Sequence, residues 1–481
     1  MSEHYGIDLG TRNTAVECKG RRLASATGGT IPSAVAYDLH SSTVRFGDEA
    51  INLLSSTDPT VRDRWSIATS FKTALESDAT VAQTPFGEKT AAQVLEDYFR
   101  KLVLYAEQSR FPPLKSAVLS IPVGFSALSR ARLLAAARAA GIEPLAVVSE
   151  STAAYLQIVH SLGTAERVAV VDWGAGTLDV SVLRILGGGT VGAVIEEQAC
   201  QGSTIAGDRI DMSIYEAFAA RARADGRHIG VMEQIPIELV RSVLRACERA
   251  KIALGDRLSP KDRTDVVLPA FTDRKLAEFT LTSNELRSLA APTRAAAFKV
   301  LDDSIEAAGL ATGQLDRIIF VGGCTGILGF REEAEQRYRQ AATFPSNPEW
   351  IVAGGALQVA SGHASYESLQ EFGCVLDDGY FLSLTDASAF DGSEWFRTVA
   401  ATESTRTASL VLAERQSNRV SVAGTISVPL QGHLGEPVHI RTTLKRDLTV
   451  GVEAWSQCCD EACDMRGLSI ANTRFRFRVK A

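Results

Sequence analysis

No stretch of this sequence is apolar for long enough to span a bilayer. The first residues, Met1-Ser2-Glu3-His4-Tyr5, lack the basic-then-apolar order of a secretory signal. A cytoplasmic protein made in its mature form, with no membrane partner, is the expectation. Basic charge is also short: 50 Lys and Arg against 57 Asp and Glu leave a net charge of −7. A phosphate-tracking surface needs a basic excess, so no nucleic-acid partner is expected. Regular metal spacing is missing too. Of the eight cysteines, Cys18, Cys200, Cys247, Cys324 and Cys374 are scattered and read as small core residues. Cys458, Cys459 and Cys463 cluster downstream of His433 and His439, but in no standard zinc pattern, so reduced thiols are the plainer reading beside a zinc site.

What is present is a globular balance: 45% hydrophobic and 22% charged residues over 481 positions, enough for two or three domains. Residues 5–18 read as strand, glycine turn and strand. Helical periodicity runs over 91–108 and 126–140, then over about 208–224, 236–254, 283–309 and 349–361. Apolar runs at 117–121, 168–171 and 317–321 read as buried strands. After Gly362 the long helical periods stop. Short alternating runs at 408–414, 419–428, 438–444 and 448–455 read as strands, with a turn at Lys445-Arg446-Asp447. The tail Arg474-Phe475-Arg476-Phe477-Arg478-Val479-Lys480 alternates basic and apolar residues, as a half-buried final strand would. No low-complexity linker marks the change of texture.

The informative feature is an internal echo. Gly6-Ile7-Asp8-Leu9-Gly10-Thr11-Arg12-Asn13-Thr14 resembles Val171-Asp172-Trp173-Gly174-Ala175-Gly176-Thr177-Leu178-Asp179. Each runs from apolar strand to Asp, glycine turn, hydroxyl or amide residue, and strand. Taken singly, each is an ordinary Asp/Gly hairpin. As a pair they suggest two related half-domains facing each other. Glycines let backbone N–H groups approach phosphate oxygens, and Thr and Asn add donors. Asp8 and Asp172, at the strand ends, suit a hydrated Mg²⁺. A third strand, Phe320-Val321, runs into Gly322-Gly323-Cys324-Thr325-Gly326, where a two-lobed ATPase would lay backbone against adenine.

These residues together resemble the actin-like ATPase superfamily and, within it, the seventy-kilodalton heat-shock chaperones of DnaK type. The likeness is clear over about 5–362 and fainter beyond. Ser70-Phe71-Lys72 resembles the segment that carries the family's catalytic lysine. Ser120-Ile121-Pro122, with Arg130, resembles its proline switch. Ser149-Glu150-Ser151-Thr152-Ala153-Ala154 resembles its Asn-Glu-Pro-Thr-Ala-Ala segment. Ile205-Ala206-Gly207-Asp208-Arg209-Ile210-Asp211 resembles its Leu-Gly-Gly-Glu-Asp-Phe-Asp segment, and Glu248-Arg249-Ala250-Lys251-Ile252 resembles the helix whose Glu and Lys flank the adenosine.

The resemblance implies an α/β two-lobed actin-like ATPase domain, a duplicated ribonuclease-H-like fold, over 1–363. A linker at 364–376 and a β-sandwich substrate-binding-like domain over 377–481, without a helical lid, would follow. It implies ATP or ADP with Mg²⁺, and K⁺ as an accompanying ion. Asp8 and Asp172 would hold magnesium through water. Lys72, Glu150, Thr177 and Asp179 would serve hydrolysis. Nucleotide contacts would come from Gly10, Thr11, Arg12, Asn13, Gly174, Ala175, Gly176, Thr177, Gly207, Glu248, Lys251, Gly322, Gly323, Thr325 and Gly326, while Pro122 and Arg130 would relay nucleotide state. The expected function is ATP-dependent, chaperone-like binding of a client peptide or protein, with a J-domain cochaperone and a nucleotide exchange factor as further partners. The rival expectation is a nucleotide-driven switch or scaffold for one dedicated partner. Four departures bear on this: Gly326 replaces the family's adenine-stacking arginine, Gly255 replaces a serine, Arg12 replaces a threonine, and no acidic–leucine linker is recognisable in 365–376. Weakened adenine binding and, with no lid, fast peptide exchange are the corresponding expectations.

Overall fold

The computed structural model describes residues 3–56, 58–159, 165–187, 193–226, 237–255, 260–269, 276–362, 364–368, 370–386, 392–416, 419–445, 449–456, 466–471 and 475–479. The chain divides into two compact units. The first comprises residues 1–144, 148–184 and 198–361; the second comprises 145–147, 185–197 and 362–481.

In the first unit the echo of the sequence is an echo of topology. Tyr5–Leu9 pairs parallel with Ser116–Ile121 and antiparallel with Asn13–Cys18. Arg167–Trp173 pairs parallel with Arg317–Val321 and antiparallel with Leu178–Leu186. Both central strands are covered on two faces, which is why their apolar residues run continuously instead of alternating. Each hairpin closes the same way: Gly10 N–H donates to the Asn13 carbonyl and Gly174 N–H to the Thr177 carbonyl, both at 2.9 Å.

The helix Glu150–Ile158 is started by Ser149, whose hydroxyl accepts from the Thr152 N–H. It lies against Ile351–Ala360, a glycine-bearing helix. A Cβ on Gly355 would stand 1.8 Å from the Ala153 carbonyl oxygen, and one on Gly354 would stand 2.6 Å from the Gln157 side chain. At Gly355 backbone meets backbone, so no side-chain adjustment relieves that clash. Gly6 plays the same part where Ile351–Ala360 crosses the first strand, since its Cβ would come 2.2 Å from the Ala353 oxygen.

Two aromatic clusters seat the site segments. Phe71 packs on Tyr98 at 5.4 Å between ring centroids, anchoring the short turn Phe71–Ala74 against the helix Ala91–Gln108. That helix buries Val94, Leu95, Tyr98, Phe99 and Leu102 at helical spacing behind a Thr90/Gln93 capping box. Trp173, fully buried, packs on Phe330 at 4.9 Å and donates its indole N–H to the Ile205 carbonyl.

The second unit carries two four-stranded antiparallel sheets. One runs in the order Phe381–Ser383, Glu371–Val375, Thr407–Gln416, Arg419–Pro429. The other runs Glu394–Ala400, Pro437–Leu444, Thr449–Ser456, Arg466–Ala471. Pro437–Leu444 buries every second residue, and Arg419–Pro429 lies against Thr449–Ser456 and Arg466–Ala471. Among the described residues no helix follows Ala360, and none is long and apolar enough to cross a membrane.

Three readings of the sequence differ from this arrangement. The segment 364–376, expected as a linker, carries the strands Ala364–Ser368 and Glu371–Val375. The tail strand Phe475–Val479 pairs with Ala364–Ser368 and with residues 194–196, and with neither four-stranded sheet. Alternation identifies a strand but not its neighbour, because the pairing partner is set by long-range contacts. Cys200, expected in the core, is exposed, whereas Cys18, Cys247, Cys324 and Cys374 are buried. The turn residues Arg446 and Asp447 and the cluster Cys458, Cys459 and Cys463 lie outside the described residues. His439 packs at a tilt against Trp455 with ring centroids 5.8 Å apart.

Replacing Gly355 with Ala should cost about 3 kcal/mol, the upper part of the overpacking range, and lower the midpoint of thermal unfolding. Gly313→Ala is the control, since a Cβ there meets nothing within 4 Å. Equal midpoints for the two variants would contradict the helix crossing.

Candidate nucleotide site

Between the two hairpins lies a cleft of about 680 Å³. Its walls include Asp8, Gly10, Thr11, Arg12 and Asn13 on one side and Asp172, Gly174, Ala175 and Thr177 on the other, with Lys72 and Glu150 at the floor. Glu248, Lys251, Ile252 and Gly255 from the helix Ile237–Gly255 and Gly322, Gly323, Gly326 and Ile327 extend it. The two turns touch: a Cβ on Gly176 would stand 2.7 Å from the Thr11 side chain.

Secondary interactions hold the turns. The Ser33 hydroxyl donates to the Gly10 carbonyl at 2.8 Å, and the Ser33 N–H donates to the Arg12 carbonyl at 2.8 Å. On the other side, the N-terminus of the helix Gly207–Ala224 docks on the second turn. Gly207 N–H donates to the Gly174 carbonyl at 3.2 Å and Asp208 N–H to the Ala175 carbonyl at 2.8 Å. A Cβ on Gly207 would meet Cys324 Sγ at 2.6 Å. Gly322, at φ 84°, sits in the left-handed region, and a side chain there would also strike the Trp173 carbonyl at 2.5 Å.

The floor is a buried charge cluster. Lys72 Nζ lies 2.7 Å from Glu150 Oε1, and both side chains are less than a tenth exposed. Lys72 is therefore not a solvated surface residue. Burial alone would pull its ammonium down, but Glu150 and Asp8 override it and hold the charge. Burial first, then the charge of Glu150, pushes Asp8 up to about 6 and Asp179 up to about 7. Asp172 is raised by burial and by Glu150, Asp8 and Asp179. Asp8 accepts from the Ser120 hydroxyl at 2.6 Å, whereas Asp179 Oδ2 is buried with no hydrogen-bond partner. Four carboxylates face one ammonium. Crowding and burial push three of the four towards the neutral acid, and a divalent cation would let them ionise together. The orphaned Asp179 oxygen and the oxygen-only donor set fit magnesium.

The upper wall is better balanced. Lys251 Nζ lies 2.8 Å from Asp211 Oδ1 and donates to the Gly207 carbonyl at 3.0 Å. Burial pushes Glu248 up, but Arg12, Arg245 and Lys251 together hold its carboxyl below the ordinary range. Arg12 reaches across the cleft to Asp208 Oδ1 at 2.8 Å.

A family model described as Hsp70 protein matches residues 4–423. The chain belongs to the Hsp70 family. A curated relative, the chaperone protein DnaK of Akkermansia muciniphila, is 28% identical over 387 residues, covering 74% of this chain and 58% of that protein. This Hsp70-family chain thus spans about 58% of that relative's length. The mixed α/β sheets of its first unit are consistent with the family's actin-like ATPase fold.

Of the residues singled out in the sequence, most line the cleft. Gly176, Asp179, Gly207 and Thr325 stand just behind its wall, Thr325 donating to the Gly322 carbonyl at 2.8 Å. Pro122 and Arg130 are buried away from the cleft lining, Arg130 in the helix Ala127–Ala139. Sequence reasoning missed Ser33 and Thr30, which sit in no distinctive pattern, and named Ser120 and Ile252 only within matched segments, without a role of their own at the site.

Replacing Asp172 with Asn should raise the unfolding midpoint of the nucleotide-free protein near neutral pH, because it removes a buried carboxyl whose ionisation the folded cluster opposes. The same change should abolish any further rise on adding Mg²⁺. Thermal scans with EDTA and with Mg²⁺ check both. A lower midpoint in EDTA, or an undiminished Mg²⁺ response, would contradict the charge count.

Proposed function

We propose that this Hsp70-family chain binds ATP with Mg²⁺ in the cleft and hydrolyses it, in the service of chaperone-like binding of a client peptide or protein by its β-rich second unit. The observation that carries the reading is the pair of identically closed turns facing each other over a buried cluster of four carboxylates and one ammonium.

The backbone N–H groups of the turns, with Thr11, Asn13 and Thr177, would cradle phosphate oxygens. Asp8 and Asp172 would hold magnesium through water, and the metal supplies neutralisation of phosphate charge when bound. Lys72, fixed by Glu150, would stabilise charge at the γ-phosphoryl oxygens and orient the attacking water. Water adds to the γ-phosphorus, the bond to the β–γ bridging oxygen breaks, and Asp179 and Glu150 can take the proton that the water loses. Glu248 and Lys251 would flank the sugar. Ile252, Gly255 and Gly326 would leave the base without a stacking cation, which weakens adenine binding by roughly 1–2 kcal/mol against a site that has one. In the second unit, a sandwich of the two four-stranded sheets would offer strand edges and pockets to an extended peptide. Pro122 and Arg130 would relay nucleotide state.

A second reading, a nucleotide-driven switch for one dedicated partner, draws on the strand Ala364–Ser368. A segment already paired with Phe475–Val479 is less free to respond to nucleotide than an open linker would be.

Lys72→Ala should keep ATP binding and lose about 100-fold in single-turnover hydrolysis, the scale for removing a positioned charge. Near-normal turnover in a folded variant would remove Lys72 from the reaction. Adding a panel of unfolded peptides to the wild type separates the two readings: general stimulation supports the chaperone, and silence towards all of them supports the dedicated switch.

A further inference from the structure

The two turns share their leading glycine and differ at the three positions after it, most of all at the third. Gly10-Thr11-Arg12-Asn13 carries an arginine where Gly174-Ala175-Gly176-Thr177 carries a glycine. That arginine does not point into solvent. Its Nη2 and Nε lie 2.8 and 3.2 Å from Asp208 Oδ1, on the first turn of the helix Gly207–Ala224. Nε is also 3.9 Å from Glu248 Oε1. The Arg12 side chain is only 13% exposed. Arg12 and Glu248 both line the cleft, Arg12 at the phosphate turns and Glu248 on the way to Gly255 and Gly326.

We infer that Arg12 is a clasp that makes binding at this site depend on phosphate: its guanidinium must leave Asp208 and Glu248 before the sugar can use Glu248, and only an incoming polyphosphate offers it another anion. The inference rests on the nucleotide reading above. A guanidinium forks onto phosphate as well as onto carboxylate, so a polyphosphate at the turns gives Arg12 an exchange of partners at little net cost. A carboxylate beside a ribose accepts its hydroxyls. A nucleoside without phosphates offers Arg12 nothing and must compete with it for Glu248, which Arg245 already shares at 2.6 Å. The clasp therefore selects nucleotides over nucleosides beyond what direct phosphate contacts provide. Glycine at the matching position of the second turn leaves the opposite wall without such a clasp.

Calorimetric titration of the full chain with ATP and, separately, with adenosine, both with Mg²⁺, tests this on Arg12→Thr and Asp208→Asn. Arg12→Thr should weaken ATP by about tenfold, because Asp208 and Glu248 then face the phosphates without their cation, while tightening adenosine several-fold. Asp208→Asn loosens the clasp from the far side and should tighten both ligands. Opposite movements of ATP and adenosine in Arg12→Thr are what a merely structural arginine would not produce. Parallel losses of both ligands in Arg12→Thr, or an unchanged ATP-to-adenosine ratio, would overturn the clasp. So would weaker ATP binding in Asp208→Asn, which keeps the test open should Arg12→Thr fail to fold. Failure of the wild type to bind ATP at all would strike the nucleotide reading itself.

Discussion

The ion pair between Lys72 and Glu150, 2.7 Å apart and closed off from solvent, is the constraint around which the cleft is arranged. Burying two charges costs several kcal/mol that the pair's own attraction only partly returns. Three further carboxylates then converge on the same ammonium. Such a floor is not a device for stability. It is a low-dielectric pocket of crowded carboxyl groups, held by packed neighbours: Phe71 against Tyr98 behind Lys72, and Ser149 starting the helix that carries Glu150. A site that spends stability in this way gains affinity for a cation and its polyphosphate.

The scaffold delivers the floor and the turns together by using one design twice. Each half has a central strand, an antiparallel hairpin partner and a parallel neighbour, so each half delivers one Asp and one glycine turn to the same cleft. Duplication brings the halves face to face only if their helices pack closely. Gly354 and Gly355 permit that contact by removing side chains where Ile351–Ala360 meets Glu150–Ile158. The glycines of the helix and the glycines of the turns thus serve different ends: close helix packing in one case, backbone access in the other.

Much of this was legible in the sequence because it is local. The repeated Asp-x-Gly pattern, the apolar runs before it and the capped helix 91–108 depend on neighbours in the chain. The partners that finish the site do not. Ser33 supports the first turn and Ser120 holds Asp8, yet Ser33 sits in no distinctive pattern and the Ser120-Ile121-Pro122 segment says nothing of Asp8, since only the folded chain brings them there. Arg12 was visible as a departure, but its reach to Asp208 required the helix Gly207–Ala224 to be docked on the opposite turn. The β-rich part was readable as strands and not as sheets. The alternation of Phe475–Val479 said nothing of its pairing with Ala364–Ser368, which is also why 364–376 read as a linker.

The central claim is that the two turns and the carboxylate floor form one magnesium–nucleotide clamp. Titrating the wild-type chain with ATP in Mg²⁺ and again in EDTA tests it most directly. The account predicts binding at one site per chain with Mg²⁺ and a loss of about tenfold or more in affinity without it, because unscreened carboxylates then face the phosphates. Equal affinity in EDTA, or no binding under either condition, would contradict it.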